Sequence, residues 1–213
     1  PNFLACESAR GTEYEAFSYN TPEHTTILPF TRMVGGPMDY TPGIMQLDFS
    51  YYNKDLKKTL SSTLAKQLGL YVVLYSPLQM AADLPENYER YMDAFQFIKE
   101  VPVDWKETRV LEAEPGEYVT IARQDKYSDN WFIGNTTSDH ARVAELNFDF
   151  LDDTKVYEAT IYSDGKDANY QDNPQSYKII KKKVTCKSKL KLFVAAGGGF
   201  AISVKVLKIK DNL

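Results

Sequence analysis

The residues best suited to chemistry lie near the start of the chain. A short apolar run, Phe3-Leu-Ala-Cys6, ends on the carboxylate Glu7, and a loop through Gly11 then carries Glu13 and Glu15. Four apolar residues bounded by turn signals read as a buried strand. A carboxylate just past the C-terminal end of a barrel strand is where such folds keep their catalytic groups. Cleaving a glycosidic bond takes two carboxyl groups flanking it, one able to deliver a proton to the leaving oxygen. Glu7 and Glu13 are of the right type, although the same spacing also suits a solvated loop face. Glu23-His24 offers either polar side chains for sugar hydroxyls or a helix cap with a surface histidine. Asp39 and Tyr40 lie between Gly35-Gly36-Pro37 and Gly43. They either touch substrate or hold the geometry of that loop. Ser8 and His24 lack a third partner and any elbow motif, which argues against a serine hydrolase.

Two blocks, Glu7-Ser-Ala-Arg-Gly-Thr-Glu13 and Pro29-Phe-Thr-Arg-Met-Val-Gly-Gly-Pro-Met-Asp-Tyr-Thr-Pro-Gly43, resemble glycoside hydrolase family 97, the α-glucosidase and α-galactosidase family of Bacteroides-type bacteria. The second block is long, with Gly and Pro at fixed places. The resemblance implies the C-terminal portion of a (β/α)8 catalytic barrel followed by an antiparallel β-sandwich. It implies Glu13 as general acid/base and Glu7 as a calcium ligand; Glu23, His24 and Asp39 stand as substrate-binding candidates on their residue types and positions. Calcium takes roughly six to eight oxygen ligands, so Glu7 cannot make a site alone. By resemblance the other ligands, and the nucleophile or base, belong upstream of Pro1.

The implied activity is calcium-dependent, exo-acting cleavage of α-linked glucosides or galactosides. Glu13-Tyr-Glu-Ala-Phe17 and Pro22-Glu-His24 look like the retaining branch. The implied partners are an oligosaccharide or α-glycoside substrate and the remainder of the catalytic domain, and the implied compartment is the periplasm. A competing class is a non-catalytic carbohydrate-binding or interaction module that keeps a barrel remnant.

The 213 residues allow one large domain or two small ones. A net charge of −4 gives no reason to expect nucleic acid, and no apolar run is long enough to span a bilayer. Cys6 and Cys186 do not form a disulfide framework, and free thiols are expected. Pro1-Asn2 leads almost directly into a strand, as in a trimmed N-terminus. The resemblance favours instead the end of a longer enzyme: a whole barrel takes roughly 250 residues, so only its last part fits here. The expected division is residues 1–103, barrel, and 104–213, sandwich.

The positioning elements follow from periodicity. Thr21-Pro22-Glu23 has the composition of a helix start, Pro29 makes that helix irregular, and Gly35-Gly36 ends it. Pro37–Thr41 is, by resemblance, the last barrel strand. Leu60, Leu64, Leu68, Tyr71, Val72, Tyr75 and Leu78 share one helical face. Asp55 or Thr59 would cap that helix, and Pro77 would break it. A second helix is expected over 85–99.

From Glu107 the period becomes two. Strands are expected over 109–114, 117–123, 130–135, 142–148, 156–162, 177–181, 189–194 and 200–206, separated by Gly- and Asp-rich turns. The expected sandwich core is Val110, Tyr118, Ile121, Trp131, Ile133, Leu146, Phe148, Ile161 and Val204. Trp131-Phe132 could also stack on sugar, but core is the stronger reading for residues alternating within a strand. The lysine run from Lys178 to Lys191 suits solvent faces and sheet edges, where it blocks edge-to-edge pairing.

Overall fold

The computed structural model describes residues 5–16 and 18–207. Phe3 and Leu4 of the expected first strand, and Phe17, lie outside the described residues. A short helical part comes first and an antiparallel β-sheet part follows. The helical part holds α1 (His24–Ile27), α2 (Leu64–Val73), α3 (Pro85–Arg90) and α4 (Met92–Glu100), with 3-10 turns between them. Eight strands follow: β1 (Trp105–Glu114), β2 (Tyr118–Asp125), β3 (Trp131–Thr137), β4 (Arg142–Asn147), β5 (Tyr157–Asp164), β6 (Tyr177–Val184), β7 (Lys189–Val194) and β8 (Gly199–Val206). Each contains or overlaps one expected from the alternation.

Six strands form one sheet in the order β1-β2-β3-β8-β5-β6, and β4 pairs with β7 in a second. All these pairings are antiparallel. The small sheet covers one face of the large one. Leu146, Leu190 and Val194 from β4 and β7 join Trp131, Ile133, Ile161, Phe200 and Val204 in a single buried cluster. The opposite face is covered by helices, so the central strands β2, β3, β5 and β8 are buried on both sides. There Phe132, Tyr162 and Ala201 meet Leu64, Leu68, Val72 and Phe97.

α2 is the joint between the two parts. Every one of its residues is buried, not only the expected stripe. A helix apolar on most sides must be enclosed, and this one is: a second cluster sets Leu70, Val73 and Leu74 against Leu28, Met38, Tyr40, Val119 and Ile121. Glycine permits the approach to the sheet. A β-carbon at Gly69 would lie 2.5 Å from the Asn135 carbonyl oxygen and 2.6 Å from that of Phe200.

Several expectations change. The cap of α2 is Thr63, whose hydroxyl accepts from the Lys66 amide at 3.2 Å; Asp55 and Thr59 precede the point where the chain docks on the sheet. The helix ends at Val73, before Pro77 could act. The second helix is two, parted at Tyr91, where ψ is 40°. Val110 is 60% exposed, not core. A register shift between Val110 and Glu112 breaks the alternation and sends Leu111 to the core instead. Ile121 is buried, but on the helical face. Tyr118 is half-buried beneath the Arg142 guanidinium, 3.6 Å from its ring centre. The lysine-bearing strand β6 does lie at a sheet edge. Both cysteines are free thiols, and no helix among the described residues is long and apolar enough to cross a membrane.

Candidate functional site

Two segments far apart in sequence meet near the N-terminus. Cys6 and Met38 form a single parallel bridge. The Asp39 amide donates to the Cys6 carbonyl at 3.4 Å, and the Thr12 amide to the Tyr40 carbonyl at 3.0 Å. Arg32 staples the pair from the side. Its Nε donates to the Glu7 carbonyl at 3.1 Å, and Nη2 to the carbonyls of Cys6 and Pro37. The loops leaving this junction carry the expected carboxylates. Ser8 (φ 48°) and Thr41 (φ 56°) both take the left-handed conformation, which is uncommon for residues with a β-carbon and tends to mark functional loops.

Glu7 and Glu13 come together. The Glu7 carboxyl is held above its ordinary range chiefly by hydrogen bonding to the neighbouring Glu13 carboxyl; the Glu13 charge, slight burial and the charge of Asp39 add to it. Glu13 also accepts from the Thr41 hydroxyl. Its carboxyl folds back over Gly11, where a β-carbon would come within 2.6 Å of Oε2. The Asn20 amide group holds that loop by donating to the Gly11 carbonyl at 3.2 Å.

Glu7, Glu13 and Asp39 therefore form one acidic group, with Tyr40 buried next to it and its phenol pushed up by burial. Glu23 and His24 are engaged elsewhere. His24 Nε2 is 2.8 Å from the Arg10 carbonyl, and burial lowers the ring's proton affinity. Glu23 lies within electrostatic reach of Lys66, and its Oε2 is buried with no hydrogen-bond partner among the described residues.

A second group of charges had no clear sequence signal. Lys66 is 1% exposed and donates to the carbonyls of Pro22 at 2.9 Å and Thr137 at 3.1 Å. Around it stand Glu15, Asp164 and Glu23. Burial pushes the lysine down to about 7 and Asp164 up to about 6, and raises Glu15 as well. Asp164 accepts from the Thr63 hydroxyl and the amides of Ala195 and Gly199. The one sequence hint was a lone lysine inside the apolar stretch of α2. Asp164 read as part of a Ser-Asp-Gly turn.

For a metal, Glu7, Glu13 and Asp39 offer only oxygen donors, which suits a hard cation, and a cation would relieve the like-charge crowding on Glu7. Among the described residues no group of three or more His, Cys, Asp and Glu side chains is arranged to hold an ion.

Comparison with known proteins places this geometry. The family profile described as "Glycosyl-hydrolase 97 C-terminal, oligomerisation" matches residues 104–205. A retaining α-galactosidase of Bacteroides thetaiotaomicron is 37% identical over 210 residues, 96% of this chain and 31% of that protein. A probable retaining α-galactosidase of Streptomyces bingchenggensis is 36% identical over 146 residues, covering 68% of this chain and 21% of that protein. The solved structure of a glycoside hydrolase family 97 enzyme variant from Pseudoalteromonas sp. strain K8 superposes with a TM-score of 0.91 at 46% identity, covering 98% of this chain and 32% of that one. Structures of that enzyme with panose and with acarbose match equally well. The chain thus spans about a third or less of the length of these relatives. It is homologous to the family's retaining α-galactosidases and belongs, as a C-terminal portion, to glycoside hydrolase family 97.

Proposed function

We propose that this chain supplies the acid-bearing end of the catalytic domain, together with the C-terminal sheet domain, of an exo-acting, retaining glycoside hydrolase that cleaves α-linked galactosides or glucosides. Residues 1–103 are, in this reading, the last part of a β/α barrel, and residues 104–213 are the sandwich that follows. The observation that carries the reading is the junction at the Cys6–Met38 bridge, from which Glu7, Glu13 and Asp39 leave on adjoining segments, in a chain so similar to a retaining α-galactosidase and to an enzyme that binds panose and acarbose.

Glu13 is the general acid/base. It protonates the departing glycosidic oxygen, then removes a proton from the water that releases the sugar. Gly11 leaves the room its carboxyl occupies, and Thr41 orients one of its oxygens. Glu7 is a calcium ligand, the remaining donors coming from the portion of the enzyme that precedes this chain. A bound calcium would supply fixed positive charge for orienting sugar oxygens. Asp39 binds substrate from beside the acid pair, whereas Glu23 and His24, turned to Lys66 and to the Arg10 carbonyl, back the loop that carries Glu13. The partners are an oligosaccharide or α-glycoside and the rest of the catalytic domain, and the compartment is the periplasm.

The test is hydrolysis of nitrophenyl α-galactoside and α-glucoside by the full-length enzyme, followed by NMR. Turnover with the α-anomer released first supports the reading, and the preferred glycoside names the sugar. First release of the β-anomer refutes retention. Sugar binding without turnover favours a carbohydrate-binding module.

A further inference from the structure

The buried charges around Lys66 sit where the acid loop is fastened to the sheet. Glu13 and Glu15 belong to the same 3-10 turn, Thr12–Ala16. Glu13 is exposed, whereas Glu15, two residues on, is 4% exposed. The Glu15 carboxylate accepts from the Ser61 amide at 2.9 Å, and its own carbonyl accepts from Lys58. Lys58 also donates to the Ser18 carbonyl at 2.8 Å, so the C-terminal end of the turn is held.

Lys66 closes the next link. Its ammonium bridges Pro22, on the segment that follows the acid loop, to Thr137 at the end of β3. Beside it the Thr25 and Thr136 hydroxyls hydrogen-bond at 2.6 Å. Thr63 joins the two sides: it caps α2 through the Lys66 amide and donates to Asp164 on β5. Gly199 lets this corner close, since a β-carbon there would lie 2.9 Å from the Lys66 Cα. Burying one lysine among three carboxylates is costly unless the geometry is tightly held. In the interior each of these groups loses hydration that only its partners replace.

We propose that Lys66 and Glu15 are positioning residues for the Glu13 carboxyl, tying the acid loop to the C-terminal sheet so that the sheet domain forms part of the catalytic apparatus. This rests on the reading of Glu13 as general acid. Glu15 fixes the turn from below, Lys66 fixes the segment behind it, and neither touches the reacting bond. Misplacing a catalytic group by about 1 Å is enough to cost on the order of 100-fold in rate. The interior of the sheet therefore sets where the proton is delivered.

The test compares Lys66→Met, Glu15→Ala and Glu15→Gln in the full-length enzyme, with Glu13→Gln as the reference. Each is assayed on a natural α-linked oligosaccharide and on a dinitrophenyl glycoside, whose leaving group needs no proton. Lys66→Met and Glu15→Ala are expected to lose about 10- to 100-fold in kcat/KM on the natural substrate. Losses in kcat/KM on the activated one, which reports bond breaking alone, should stay below about threefold. Glu15→Gln keeps an acceptor for Ser61 and should recover most of the loss, and near-UV circular dichroism of that isosteric variant reports whether the fold is intact.

Equal losses in kcat/KM on both substrates, or Glu15→Gln no better than Glu15→Ala, overturn the proposal while the acid assignment stands. If Glu13→Gln itself shows no dependence on the leaving group, the acid assignment fails and the positioning role falls with it.

Discussion

Gly134 on β3 and Gly69 on α2 face one another so closely that a β-carbon on Gly134 would lie 2.2 Å from the Gly69 carbonyl oxygen. The obstacle is backbone, which cannot swing aside as a side chain could. Gly134→Ala is therefore expected to destabilise the fold by overpacking, by about 1–3 kcal/mol. Urea unfolding reads this as a lower midpoint. A midpoint equal to wild type would mean that α2 lifts off the sheet without cost.

Trp131 is 3% exposed within the cluster between the two sheets. Trp131→Ala should cost about 3–5 kcal/mol through lost burial and a cavity, with no specific effect on sugar binding. A variant of unchanged stability that no longer binds sugar would make Trp131 a ligand platform.

The proposed acid gives the sharpest kinetic expectation. Glu13→Gln in the full-length enzyme should nearly abolish cleavage of natural glycosides. Glycosides with acidic phenol leaving groups should suffer far less in bond breaking. Because a retaining enzyme uses the same residue later as base, azide should restore turnover of the activated substrate. Uniform losses without azide rescue would make Glu13 a positioning residue rather than the acid.

Glu7→Gln should weaken calcium affinity and activity together in the full-length enzyme, because it removes one anionic donor from a hard-cation site. Activity titrated against calcium buffered with a chelator checks this. A variant and parent equally indifferent to the chelator would contradict the assignment. The 213-residue chain by itself is expected to bind calcium weakly or not at all and to leave α-glycosides intact.

Lys66 makes stability depend on pH in a definite direction. Burial lowers its folded pKa to about 7, against the attraction of Glu15, Asp164 and Glu23, while an unfolded lysine holds its proton to about pH 10.4. Between these values the unfolded chain binds more protons, so stability rises with pH above about 7 and is lost as pH falls through it. Asp164 has the opposite sign at lower pH. Its folded pKa is raised to about 6 by burial, so its contribution is full below the ordinary carboxylate value and disappears as pH rises through about 6. Urea midpoints from about pH 7 to 9 should climb in the wild type and stay level in Lys66→Met. Parallel curves would refute the assignment.

The sequence by itself determined the eight strands, because alternation and turn residues are local properties that survive whatever packs on them. It also carried the family resemblance, through the Glu7–Glu13 and Pro29–Gly43 blocks from which the proposed roles of the carboxylates come. It could not determine which of several local possibilities tertiary contact would choose. Asp55, Thr59 and Thr63 can all cap a helix; Thr63 does so because Asp164 receives its hydroxyl proton and the glycines let α2 seat at that height. Val110 looked like core until the bulge beside it sent Leu111 inward. Asp39 reaches Glu7 through the Cys6–Met38 bridge, a pairing between distant segments. Lys66 is ordinary in sequence and 1% exposed in the fold, because burial depends on everything that encloses a residue and not on its neighbours along the chain.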